Sequence, residues 1–91
     1  MRNLEIAFIF NQIADLLEIQ GANPFRVRAY RRAAVNVEGL ADNIETLVIN
    51  GTLRGVPGIG EDLAAKIAEY IDSGTIQFHD QLKQEVPPIL A

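Results

Sequence analysis

Val56-Pro57-Gly58-Ile59-Gly60, running directly into Glu61-Asp62-Leu63-Ala64-Ala65-Lys66-Ile67-Ala68-Glu69-Tyr70-Ile71, decides how the rest of the chain is read. A buried-type isoleucine sits between two glycines behind a rigid proline, and an amphipathic helix follows at once. Glycine lets a backbone turn tightly and lets a ligand reach bare N–H groups. The helix start adds unpaired N–H donors and the positive end of the helix dipole. The stretch therefore suits an anion carried on a polymer backbone. The same residues also suit a plain helix–helix connector with no ligand.

Working outward, Leu4, Ile6, Ala7, Ile9, Phe10, Ile13, Ala14, Leu16 and Leu17 recur at three- and four-residue steps, which predicts a first amphipathic helix with Asn3 as its N-cap. Gly21 ends it; Asn23 and Pro24 then cap and open a second helix that runs to about Val37 and stops at Gly39. Asp42 or Asn43 caps a short third helix through Ile44, Leu47 and Val48, closed by Asn50-Gly51. The fourth helix spans about Gly60 to Asp72, with Gly74 as its stop, and Thr75 to Glu85 reads as a short fifth helix ended by Pro87-Pro88. No stretch alternates over a strand length. The expected fold is all-α: a compact bundle of four main helices plus a short C-terminal helix, one domain over residues 1–91.

The chain has 91 residues, 48% of them hydrophobic, enough for a modest core. With no cysteine there are no disulfides or thiolate metal sites, which fits a reducing compartment. No apolar run approaches the ~20 residues of a bilayer span. Glu5 interrupts what would be the apolar part of a signal peptide. The expectation is a cytoplasmic, nucleoid-associated protein with no membrane partner. The net charge of -4 argues against a polyanion, but its distribution argues for one. Arg26, Arg28, Arg31 and Arg32 fall between Gln20 and Val37 with no acid among them. Screening over ~8–10 Å lets such a stripe hold a phosphate chain on an acidic body. His79 is the sole histidine, which leaves no transition-metal set; it is expected at the surface of the last helix.

The Val56–Ile71 stretch resembles the helix-hairpin-helix motif, whose hairpin grips DNA phosphates without reading bases. Leu16 to Ala34, with its Asn23-Pro24-Phe25-Arg26-Val27-Arg28-Ala29-Tyr30 block, resembles the amino-terminal domain of family X DNA polymerases; the hairpin, its helix and Gln84-Glu85-Val86-Pro87-Pro88 resemble the bacterial members. The resemblance spans nearly the whole chain. It implies sequence-independent binding of gapped or 5′-phosphorylated DNA in repair, with polymerase domains in the same parent chain. Gly58, Ile59 and Gly60 are the implied phosphate grip. Arg26, Tyr30 and Arg31 match positions that bind the 5′-phosphate or line a lyase pocket, and Phe25 matches a position that stacks on a template base. Backbone carbonyls at Arg54, Val56 and Ile59 match those that hold Na+ or K+; no other cofactor is implied.

Lys66, also an implied DNA-binding residue, falls at the position of the family's Schiff-base lysine, which in some members removes a 5′-deoxyribose phosphate. Such an amine must be neutral, a state favoured by desolvation or neighbouring cations. Asp62, four residues earlier, opposes this by stabilising the ammonium, and it stands where lyase-active members can carry a lysine. Phe25 and Tyr30 are open to a second reading as core residues, Tyr30 with its hydroxyl on a backbone carbonyl, and Arg28 and Arg32 to one as solvent-facing. Three functions follow: a DNA-binding module, a 5′-deoxyribose-phosphate lyase acting through Lys66, or a helical protein-interaction module.

Overall fold

In the computed structural model, which describes residues 2–86, five α-helices form an all-α bundle with no strand among those residues. They are α1 (Asn3–Ile19), α2 (Pro24–Glu38), α3 (Ile44–Asn50), α4 (Glu61–Ser73) and α5 (Gln77–Glu85). A short 3-10 turn, Leu53–Gly55, leads into the hairpin and was not expected from the sequence. The Cα radius of gyration, 12.8 Å, is that of a chain folded around one core. Pro87-Pro88 lies outside the described residues.

Helix boundaries follow local chemistry. The Asn23 side chain accepts the Phe25 N–H at 2.8 Å, with Pro24 at the first helical position, and the Asn43 side chain accepts the Glu45 N–H at 3.1 Å. Asn43, not Asp42, is therefore the cap of α3. Gly51 and Gly74 end α3 and α4 in the left-handed conformation, φ 70 and 81. The fifth helix begins two residues later than expected, and Glu69 Oε2 accepts the N–H of its first residue, Gln77, at 2.9 Å.

Asn3 is not the cap of its own helix. It is the first residue of α1, buried, and its side chain reaches across the bundle: Nδ2 donates to Asp42 O at 2.8 Å and Oδ1 accepts the Ile44 N–H at 3.0 Å. It thus ties α1 to the start of α3. The core lies mainly between α1 and α2, where Ile6, Phe10, Ile13 and Leu17 meet Tyr30, Ala33 and Val37. Burial of each large apolar side chain contributes about 1.5–3 kcal/mol, so this pair is the frame on which the smaller elements are hung. Ile44, Leu53, Ile67 and Ile76 carry the same core into α3, the 3-10 turn, α4 and the loop before α5.

Candidate nucleic-acid interface

The hairpin is fixed from beneath and open above. Val56 and Ile59 are buried, and Val56 O accepts the Ile59 N–H at 3.0 Å, closing the turn on its apolar side. Gly58 sits between them with φ +85, a conformation that side-chain-bearing residues rarely adopt. Asn36 of α2 donates from Nδ2 to Pro57 O at 2.6 Å and so holds the loop against α2. Gly60 is exposed, extended, and caps α4 without any side-chain hydrogen bond. The first bond of α4 runs from Ala64 N–H to Gly60 O. The N–H groups of Glu61, Asp62 and Leu63 are therefore left as donors. Of Gly58, Ile59 and Gly60, the first is half-buried and the last exposed. Ile59 is an anchor whose N–H is already engaged.

Beside this loop, α2, α4 and α5 bring Arg26, Tyr30, Lys66 and Phe78 together. The Arg26 guanidinium lies 4.9 Å from the Phe78 ring centroid and Lys66 Nζ 5.2 Å from it. The Tyr30 ring stacks on Phe78 at 6.3 Å and 26°. Tyr30 is only 2% exposed, and its hydroxyl has no hydrogen-bond partner among the described residues, so the expected bond to a carbonyl is not made. Burial pushes the Tyr30 phenol up; Lys66 pulls it back, Asp62 adds to the rise and Arg26 opposes it. The Lys66 side chain is itself 15% exposed and pairs with Asp62 Oδ1 at 2.8 Å. A shallow groove runs past it between Asp62, Ala65 and Glu69 on α4 and Gln77, Phe78 and Gln81 on α5.

Arg31 is not part of this cluster. It turns toward α1, where its guanidinium meets Asp15 at 2.8 Å and Glu18 at 3.9 Å. Phe25 is exposed and its ring carries the Arg28 guanidinium at 4.7 Å, so it is not a core residue. Arg28 and Arg32 are exposed as expected, but Arg32 also runs its stem past Gly58.

Comparison with known proteins gives this geometry its place. A helix-hairpin-helix domain model matches residues 1–76. The chain belongs to the helix-hairpin-helix domain family. It is also 33% identical over 87 residues to the DNA polymerase/3'-5' exonuclease PolX of Bacillus subtilis (strain 168). That alignment covers 96% of this chain and 15% of the Bacillus protein, at its N-terminal part. The matches support DNA binding in a polymerase-related context as the coarse reading of this helix-hairpin-helix domain.

Three residues of the site were not found from the sequence. Phe78 and Asn36 carry no motif signal: one acts through its ring, the other through a bond to a residue distant in sequence. His79 was expected at the surface but is buried, with Nε2 2.7 Å from Gln12 Oε1, tying α5 to α1. Burial holds its pKa below the usual imidazole value, Lys83 lowers it further, and Asp80 opposes the shift. The carbonyls of Arg54 and Ile59 accept no backbone hydrogen bond among the described residues, and Val56 O accepts the single N–H of Ile59. Hard oxygen donors with free lone pairs fit an alkali cation.

Among the described residues, no helix is long and apolar enough to cross a membrane.

Proposed function

We propose that this domain binds DNA through its sugar–phosphate backbone, independently of base sequence, and prefers a gap or recessed end bearing a 5′-phosphate. The observation that carries this reading is the Gly58–Gly60 hairpin, with the bare α4 N-terminus above it and the Arg26–Lys66 cluster alongside. Backbone N–H groups and cations position a phosphate chain but carry no base information. Phe25, exposed at the start of α2, suits sequence-tolerant stacking on an unpaired base. A Na+ or K+ ion on the carbonyls of Arg54, Val56 and Ile59 would supply positive charge for a phosphate at the loop. The chain spans about 15% of the length of the curated relative it matches, so a parent polymerase and a role in repair belong to the same proposal.

The test is a titration of duplex, gapped and 5′-dephosphorylated gapped DNA at several salt concentrations. Affinity is expected to fall with salt and to rank the phosphorylated gap first. Equal affinity for all three overturns the end preference, and an absence of salt dependence overturns backbone binding in favour of a protein-interaction module.

The burial of Lys66 beside the unpartnered Tyr30 hydroxyl favours a second reading, a 5′-deoxyribose-phosphate lyase. There, the neutral amine adds to the sugar aldehyde and water leaves to form a Schiff base. The Asp62 contact opposes it by favouring the ammonium. Borohydride trapping of a labelled substrate by the native chain, lost in Lys66→Ala, is the expected result of this reading; no trapping by the native chain removes it.

A further inference from the structure

Phe78 lies past residue 76, where the family match ends, and no motif in the sequence singles it out. We propose that Phe78 is a positioning residue: its ring holds Arg26 and Lys66 together as a two-cation cradle for a terminal phosphate monoester. The inference rests on the 5′-phosphate reading above. Two like charges beside one ring repel; the negative ring face and the Asp62 carboxylate on Lys66 offset part of that repulsion, and a bound anion would offset more. The ring offers no hydrogen bond, so it fixes the cations by its quadrupole and shape and takes none of their N–H donors, one of which, on Lys66, Asp62 Oδ1 holds at 2.8 Å. Its two neighbours are held in place: the Gln77 N–H by Glu69 at 2.9 Å, and the His79 side chain by Gln12 at 2.7 Å. Beneath it, Tyr30 is 2% exposed and its hydroxyl has no hydrogen-bond partner among the described residues.

The charge arithmetic decides which phosphate fits. An internal diester carries a single negative charge, whereas a terminal monoester carries about 1.5–2 near neutral pH. Asp62 already offsets the charge of Lys66, so a phosphate must compete with that carboxylate; the monoester at a 5′ end does so better than the diesters flanking it, and loosening the pair erodes that preference before it erodes general binding.

The experiment compares gapped DNA ending in a 5′-phosphate with the same DNA ending in a 5′-hydroxyl, using the native chain, Phe78→Leu and Phe78→Trp. The affinity ratio is expected to fall about threefold to tenfold in Phe78→Leu, with the hydroxyl DNA bound as before, and to be retained in Phe78→Trp. Upfield ring-current shifts on the Lys66 ε-methylene and Arg26 δ-methylene protons are expected in the native spectrum and absent in Phe78→Leu. If Phe78→Leu does not fold, trifluorinated phenylalanine placed at position 78 weakens the ring face at nearly constant shape and should lower the ratio alone. An unchanged ratio in folded Phe78→Leu or in the trifluorinated variant, or a parallel loss for both DNAs, overturns the inference while leaving the 5′-phosphate reading intact. A ratio of about one in the native chain overturns both.

Discussion

The two edges of α2 carry the same residue type in opposite circumstances. On one edge Arg26 lies over Phe78, and Arg32 lies along the hairpin glycine. On the other, Arg31 is held by Asp15 and Glu18 of α1. Read in sequence, Arg26 to Arg32 is one basic stripe. In the fold it is an open side and a neutralised side, because Arg31 points about 140° from Arg26 and about 100° from Arg32 around the helix, and α1 supplies acids to Arg31 alone. A count of local arginines thus overstates the footprint. What α2 can offer a phosphate depends on which acids its neighbours bring.

The open edge should be the fragile one. Gly58→Val places a β-branched residue at φ +85 with its Cβ 3.2 Å from Asn36 Nδ2, whose bond to Pro57 O holds the loop. Strain of this kind is typically ~1–3 kcal/mol, and a displaced loop should lower DNA affinity tenfold or more. Gly51→Val is the control: its φ of +70 is similarly strained, but no atom lies within 4 Å of its Cβ. It should lower the melting temperature with DNA affinity within about twofold. If both variants fold, by circular dichroism, and bind DNA as the native chain does, the hairpin is only a connector.

Arg26→Ala and Arg31→Ala test the comparison directly. Removing an unpaired phosphate-facing cation should weaken binding about threefold to tenfold and reduce the salt slope by about one, whereas Arg31→Ala should stay within about twofold. The edge can also be opened. Asp15→Asn with Glu18→Gln breaks exposed ion pairs worth only about 0.2–1 kcal/mol each, so the fold should survive while general DNA affinity rises about twofold. Equal losses from the two arginine variants, measured by titration at fixed salt, would make α2 a uniform basic stripe after all.

Much of this was legible where the physics is local. Asn23, Pro24, Asn43, Gly51 and Gly74 act on donors and carbonyls within a few residues, so their types alone mark the helix ends. The hairpin was legible for the same reason. Asn3 was misread because an asparagine before an apolar run caps its own helix by default, and nothing in sequence shows that α3 arrives beside it. His79 was misplaced by the same blindness, and the pairing of Arg31 was hidden by it: their partners, Gln12 and Asp15, lie on α1, far from them along the chain. Phe25 and Tyr30 were each open between core and surface. Their i, i+5 spacing puts one outside and the other beneath Phe78, a distinction that depends on α5 being there.

The smallest expected effect is acid sensitivity of the α1–α5 contact, which sets where α5 holds Phe78 on the open edge. His79 is buried and hydrogen-bonded to Gln12, and burial, with Lys83, lowers its pKa below 6.5 despite Asp80. The unfolded chain therefore takes up this proton at a higher pH than the folded chain does. The stability contributed by neutral His79 is fully present above pH 6.5 and is lost as pH falls through the lower, folded value. The melting temperature should drop by a few degrees between pH 7 and 5, before most carboxylates titrate. His79→Gln, which cannot charge, should flatten that part of the profile. If α5 is the support of the open edge, the same acid step should reduce the preference for a 5′-phosphate in the native chain more than in His79→Gln. An identical pH profile in the two proteins would mean that the contact yields without consequence, and that the open edge is held in place by the α2–α4 side alone.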